Sequence, residues 1–335
     1  MTHPTPARGV AGHPLARSVG IGRAHAKAIV LGEHAVVYGA PALVLPVPQL
    51  TVTATAGWCA HDDRGGGEVS FTMTGSPSRP VITQAFDGLA RLTAHFTAAA
   101  GISDVPHLDV VIDGGIPHGR GLGSSAAYAR AVVLALSDLF DHPLTAHQVF
   151  DLVQSAENIA HGRSSGVDAT AVGAGGPLYY RAGTATPADV GCQGLFVIAD
   201  SGQAGSTKDA VNLLRNRFAA RPGSRETFVG SATQLTDRAR RALAAGDDED
   251  LGACLTGCHD LLREAGVSTP GIDALVAAAR QAGSLGAKIT GGGLGGCMIA
   301  LTHPDTAGPV TRSLHQAGAV QTWVVPLRGF PRHGH

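Results

Sequence analysis

The residues whose types and spacing could do chemistry fall in four stretches. The most informative is Pro117-His-Gly-Arg-Gly-Leu-Gly-Ser-Ser-Ala-Ala127, where three glycines in five positions (Gly119, Gly121 and Gly123) precede two serines and a helix-forming run. Glycines let the backbone approach an anion closely, and a helix opened by Ser124 and Ser125 points its free N–H groups and its dipole at the same place. This reads as a phosphate cradle, although a plain strand-to-helix turn uses the same residue types. It is neither a Walker loop, since no Gly-Lys-Ser/Thr occurs, nor a dinucleotide fingerprint, since the glycine spacing differs.

Two carboxylates stand downstream. Asp168, in Ser164-Ser-Gly-Val-Asp-Ala-Thr170, has no basic neighbour in sequence and could accept the proton of an attacking hydroxyl. Glu157 sits beside the apolar stripe of Val149, Val153, Ala156 and Ala160, at the edge of a helix's buried face. There it either reaches solvent or needs a partner, which a Mg²⁺ ion shared with nucleotide phosphates would supply.

Lys27 lies inside the apolar run Ala26-Lys-Ala-Ile-Val-Leu31, at the start of the first strand. Lysines are rarely buried, so it is either an edge residue or points into a site where its charge stabilises a carboxylate and an alkoxide. Gly32-Glu-His-Ala-Val-Val-Tyr-Gly39 follows, with Glu33 and His34 at a strand end as substrate contacts or ordinary turn residues. The fourth stretch, Lys288-Ile-Thr-Gly-Gly-Gly-Leu-Gly-Gly-Cys297, has five glycines in six positions between a helix and a strand. Ordering such a loop is entropically costly, which suggests that it presses against another domain or a ligand.

These residues must be positioned by a chain of 335 residues, long enough for two domains with a cleft between them. Apolar residues make up 44% and charged residues 15%, which gives a globular chain with a sizeable core. The 25 basic residues against 26 acidic ones leave a net charge of -1, without the basic footprint of a nucleic-acid or anionic-membrane binder. No run of about 18 apolar residues is present. Five scattered cysteines read as free thiols of a reducing cytoplasm, and Cys254, Cys258 and His259 as packing residues rather than a metal site.

The fold class is α/β (α+β). Residues 1–17 look like a loose tail, residues 18–190 form a β-rich first domain, and residues 191–335 form a second. Strand and hairpin language covers residues 29–55, including the run around Val36 and Val37. Residues 57–80, with Gly65, Gly66 and Gly67, read as turn-rich, followed by a helix over 81–99. A strand over 108–112 leads into the phosphate loop. Helices over 124–140 and from Thr145 to Gly162 follow, the second opened by a Thr145-x-x-Gln148 capping box. Residues 181–194 read as turns and 195–199 as a strand. Helices follow over 206–218, 231–244, 250–264 and 271–283, the acidic run 247–250 being a solvated loop and cap, and two strands close the chain.

Taken together, the stretches resemble the GHMP kinases, the group containing galactokinase, homoserine kinase, mevalonate kinase and phosphomevalonate kinase. The order matches: a lysine with Gly-Glu-His, then Pro-x-x-x-Gly-Leu-Gly-Ser-Ser, then Lys-x-Thr-Gly-Gly-Gly-x-Gly-Gly-Cys. The wording of segment 32–39 and of Glu157-Asn-Ile-Ala-His-Gly-x-x-Ser-Gly-Val-Asp168 looks like the mevalonate kinase branch in particular. Two departures stand out. Arg23-Ala-His-Ala26 replaces the usual Ala-Pro-Gly, and Gly292 and Leu294 stand where Ala and Gly are common.

The resemblance implies a two-domain fold, an N-terminal mixed-sheet domain joined to a C-terminal ferredoxin-like domain, with ATP and substrate in the cleft. It implies ATP-dependent phosphorylation of (R)-mevalonate at its C5 hydroxyl on the route to isoprenoids, with phosphomevalonate kinase and diphosphomevalonate decarboxylase as alternatives. By the same resemblance Asp168 is the base and Lys27 its charge partner. Gly119, Arg120, Gly121, Leu122, Gly123, Ser124 and Ser125 hold ATP, and Ser125 and Glu157 bind Mg²⁺. Glu33, His34, Ser165, Asp168 and Thr207 approach the substrate, with Gly291, Gly292 and Gly293 forming the C-terminal loop. Many such enzymes are dimers, so a homodimer is an expectation of the family.

Overall fold

The computed structural model describes residues 17–58, 69–74, 79–102, 107–161 and 164–329. The expected tail up to residue 16, the turn around Gly65–67, Cys59 and the helix stop at Gly162 lie outside them. Two sheets organise the chain. The first contains β1 (Val19–Leu31), β2 (Ala42–Trp58), β3 (Val69–Thr74), β4 (Leu108–Gly114), β5 (Leu178–Arg181) and β6 (Thr184–Pro187). Its order is β3-β4-β2-β5-β6, with β1 on the other edge of β2, and only β3 and β4 run parallel. It is a mixed sheet.

Helices α1 (Arg79–Ala99), α2 (Ser124–Leu139), α3 (Ala146–His161) and α4 (Val167–Ala171) pack with it. The small residues have a structural purpose here. A Cβ on Gly20 or Gly22 of β1 would fall 2.2 Å from Ala135 O or 2.0 Å from Ala131 O of α2, so strand and helix backbones meet closely. Helix α2 is buried on nearly every side, as an all-round apolar sequence requires.

The second sheet holds β7 (Leu195–Asp200), β8 (Gly286–Thr290), β9 (Cys297–Thr302) and β10 (Gln321–Pro326), all antiparallel in the order β10-β7-β9-β8. Numbered within this sheet the order is 4-1-3-2, the ferredoxin-like arrangement. Helices α5 (Thr207–Ala220), α6 (Ser224–Ala245), α7 (Asp248–Glu264) and α8 (Pro270–Gln281) fill its first crossover, and α9 (Ala307–Gln316) fills its second. Among the described residues no helix is long and apolar enough to cross a membrane.

Several boundaries differ from the sequence reading. Strand β1 begins at Val19, so Lys27 is well inside it, just after the pairing with β2 jumps from His25↔Thr51 to Ala26↔Val47. That irregularity leaves Pro48, Gln49 and Leu50 of β2 without a β1 partner, and Pro48 has no N–H to give a ladder. Val36 and Val37 lie in a 3-10 turn (Ala35–Tyr38), not a strand. Within the turn-rich stretches the structure forms β3 and β6. Asp247 caps α7 while Asp248, Glu249 and Asp250 already belong to its first turn, where negative charge favours the helix dipole. Lys288 is in mid-strand, which makes the last glycine cluster a β8–β9 hairpin loop. The Thr145–Gln148 capping box forms as expected.

Candidate active site

The loop between β4 and α2 takes left-handed backbone at Gly119 (φ 69°), Gly121 (75°) and Gly123 (72°). Side chains at these positions would be strained, and at Gly121 there is also no room, since a Cβ would lie 2.8 Å from the Cα of Gly291. The phosphate loop and the β8–β9 loop therefore touch backbone to backbone. Gly123 caps α2 without a side-chain hydrogen bond, which leaves first-turn N–H groups to be satisfied from outside the helix. Ser124 is buried and Ser125 half-buried behind it.

The Lys27 ammonium lies 3.0 Å from a carboxylate oxygen of Asp168 and donates to Gly121 O at 3.2 Å. The backbone N–H of Lys27 also donates to Leu122 O at 3.0 Å. One lysine thus ties a β1 edge, the phosphate loop and Asp168 together. Lys27 is 3% exposed and Asp168 36%, so the cation is sealed in while the carboxylate faces open space. Asp168 sits in the first turn of α4, after Gly166 at φ 88°.

Across α2, Ser125 Oγ donates to Glu157 Oε1 of α3 at 2.5 Å, and Glu157 is only 4% exposed. Two hard oxygen donors beside a phosphate loop suit Mg²⁺. No group of three His, Cys, Asp or Glu residues able to hold a metal exists among the described residues. An ion here would draw its remaining ligands from phosphate and water, the habit of Mg²⁺.

The residues expected near the substrate divide. Ser165 lines a cavity of about 220 Å³ with Val36, Val37, Tyr180 and Gly183, and its carbonyl accepts from Tyr180 OH at 2.5 Å. His34, with left-handed backbone at φ 58°, is buried against the β8–β9 loop, its Nε2 3.2 Å from where a Cβ on Gly293 would be. Burial, with Lys288 nearby, pushes the His34 imidazole down to about 4, so it is neutral near pH 7. Thr207 packs over Gly292. Leu294 is left-handed at φ 57°, in a place where the related motif commonly has glycine.

Glu33 departs from the expectation of a substrate-facing group. It is 1% exposed and ion-paired with Lys288, itself 0% exposed, because an ammonium buried in β8 needs a counter-charge. Burial pushes the Glu33 carboxyl up, against the opposing pull of Lys288 and then Lys27. Its Oε2 has no hydrogen-bond partner among the described residues. Lys288 further donates to Ile29 O and Ile289 O, and Thr290 Oγ1 bonds Ile29 N and O, which fastens β8 to the end of β1. Sequence reasoning gave Lys288 no role, although its setting, a lysine in an apolar strand, is the signal that singled out Lys27. Arg120 also departs from expectation: its guanidinium is turned to Asp200 at 3.0 Å and to Gly202 O at 2.8 Å.

Comparison with known proteins agrees with this architecture. The family model described as GHMP kinases N terminal domain matches residues 84–176, and that described as GHMP kinases C terminal matches residues 239–320. A mevalonate kinase of Aeropyrum pernix is 37% identical, over 82% of this chain and 86% of that protein. One of Pyrococcus horikoshii is 33% identical over 89% and 92%. The crystal structure of L. major mevalonate kinase in complex with R-mevalonate superposes with a TM-score of 0.81 at 26% identity, covering 94% of this chain and 98% of that one. With half the chain under the two family models and relatives above 30% identity along most of its length, the chain belongs to the GHMP kinases, in the mevalonate kinase family.

Proposed function

We propose that this enzyme transfers the γ-phosphate of ATP to the C5 hydroxyl of (R)-mevalonate, giving 5-phosphomevalonate and ADP on the route to isoprenoids. The observation that carries the reading is the Lys27 ammonium, which touches both Asp168 and the phosphate-loop carbonyl of Gly121. A base and a phosphate cradle joined by one cation bring a hydroxyl and a phosphoryl group into line.

In this reading the N–H groups of segment 119–125 receive the triphosphate, and Asp168 takes the proton of the attacking hydroxyl. Lys27 stabilises the charge that develops on that oxygen. Ser125 and Glu157 are the residues that would hold a Mg²⁺ ion, which would supply charge neutralisation for the phosphates. Ser165 and neutral His34 border the substrate, and the cavity beside Ser165 mixes apolar and hydroxyl surface as a small hydroxy acid requires. Thr207 and the glycines 291–293 close the site from the second domain, which we take as residues 191–335. Glu33 acts from beneath, through its pair with Lys288. The four cysteines among the described residues are buried and free, which suits a reducing compartment, and we assign the enzyme to the cytoplasm.

An ATP-coupled assay across mevalonate, phosphomevalonate, homoserine and galactose, with the product weighed by mass spectrometry, tests the reading. Mevalonate is expected to be preferred, with one phosphate added and no CO₂ released. Preference for another substrate, or decarboxylation, would overturn it.

A further inference from the structure

Arg120 is flanked by two left-handed glycines in the phosphate loop, where a guanidinium would ordinarily be read as a clamp on the nucleotide. Its side chain is spent elsewhere. The Nε group sits 3.0 Å from both carboxylate oxygens of Asp200, at the end of β7, and Nη2 donates to Gly202 O at 2.8 Å. Asp200 is 6% exposed and is held in turn by the N–H of Gly202 at 2.8 Å, so the carboxylate is fixed before the arginine reaches it.

Two further contacts join the loop to the second sheet, one at the β7–α5 connection and one at the β8–β9 loop. Gly205 N donates to Gly119 O at 2.9 Å, and a Cβ on Gly296 would fall 2.8 Å from Arg120 O. The loop that belongs to the first sheet is therefore stitched on one side to the β7–α5 connection of the second. With Asp200 so close, the arginine offers little unbalanced charge to an anion in the loop.

We propose that Asp200 is a positioning residue for the phosphate loop, acting through Arg120, and that the pair is a latch between the two domains rather than part of the phosphate grip. This rests on the reading of the loop as the ATP cradle. A latch and a grip differ in what happens when Asp200 is removed. Without the carboxylate a latched loop loosens and binds nucleotide less well, whereas a gripping arginine would be released to bind it better.

The test is calorimetric titration of a non-hydrolysable ATP analogue, with Mg²⁺, into wild type, Arg120→Gln, Asp200→Asn and the double variant. Each single change is expected to weaken binding by about tenfold, and the double variant by about the same factor, since the two act as a unit. In steady state the variants raise the KM for ATP more than they lower kcat. Unchanged or tighter binding by Asp200→Asn, with weaker binding by Arg120→Gln, would overturn the latch. Should Asp200→Asn fail to fold, hydrogen exchange in nucleotide-free Arg120→Gln decides. Faster exchange of the amides of segment 119–123 supports the latch, and unchanged exchange contradicts it. Failure of the wild type itself to bind the analogue would count against the ATP reading instead.

Discussion

Lys27 with Asp168 and Lys288 with Glu33 are both lysine–carboxylate pairs, and in both the lysine stands in an apolar strand. In the first pair the carboxylate is 36% exposed and its cation also touches the phosphate loop; in the second both side chains are sealed, at 1% and 0%. An open carboxylate can trade its partner for a ligand proton, while a sealed one changes partners only if the fold moves. On the proposed function, the same two residue types serve chemistry in one place and the join between two domains in the other.

The sharpest way to break this comparison is to remove each lysine. Lys27→Met is expected to lower kcat by about 10²–10³, as for loss of a group that stabilises developing charge, with the thermal midpoint close to wild type. Lys288→Met is expected to act first on stability, by about 3–5 kcal/mol in urea denaturation, because it strands a buried carboxylate. If Lys288→Met were as stable as wild type, or Lys27→Met unfolded it, the two assignments would have to be exchanged.

Pairing Lys288→Met with Glu33→Gln sharpens the point. Removing both charges is expected to recover most of the stability lost by Lys288→Met, since the large cost lies in an uncompensated charge. Additive losses in the urea midpoints would contradict a mutual pair.

A smaller effect concerns His34, which lies beside the sealed pair. Its imidazole is pushed from 6.5 down to about 4, so between those values the unfolded chain binds the extra proton and stability falls as pH drops. Roughly 3 kcal/mol is at stake across that window, fully lost below pH 4 and absent as a penalty above 6.5. Denaturation at pH 7 and pH 4.5 is expected to separate wild type from His34→Gln, with wild type losing more. Parallel losses would mean that the ring titrates normally.

How much of this was legible beforehand follows from what each residue needed. Lys27 and Asp168 could be read because a lysine in an apolar run and an isolated acid among small residues both lack a local explanation. Lys288 gave the same signal, hidden by the glycines that follow it. Asp200 gave none, since an aspartate before Ser201-Gly202 at a strand end reads as turn chemistry, and its partner is 80 residues away. The β5–β6 hairpin was missed because its left-handed turn uses Ala182 and Gly183 instead of the usual Asn-Gly. Helix α9 was missed because Gly308 and Pro309 look like breakers, although proline is tolerated in a first turn. Local pattern carried the glycine loop and the two helices that follow it. Contacts between the domains could not be read, because they join segments far apart in sequence.

The central claim is that Asp168, held by Lys27 beside the phosphate loop, prepares the hydroxyl for phosphoryl transfer. The most direct measurement is kcat for mevalonate phosphorylation by Asp168→Asn, alongside its affinity for a non-hydrolysable ATP analogue. A fall in kcat of about 10²–10⁴ with nucleotide affinity within a few-fold of wild type is expected. A near-normal kcat in a folded, nucleotide-binding variant would contradict the account.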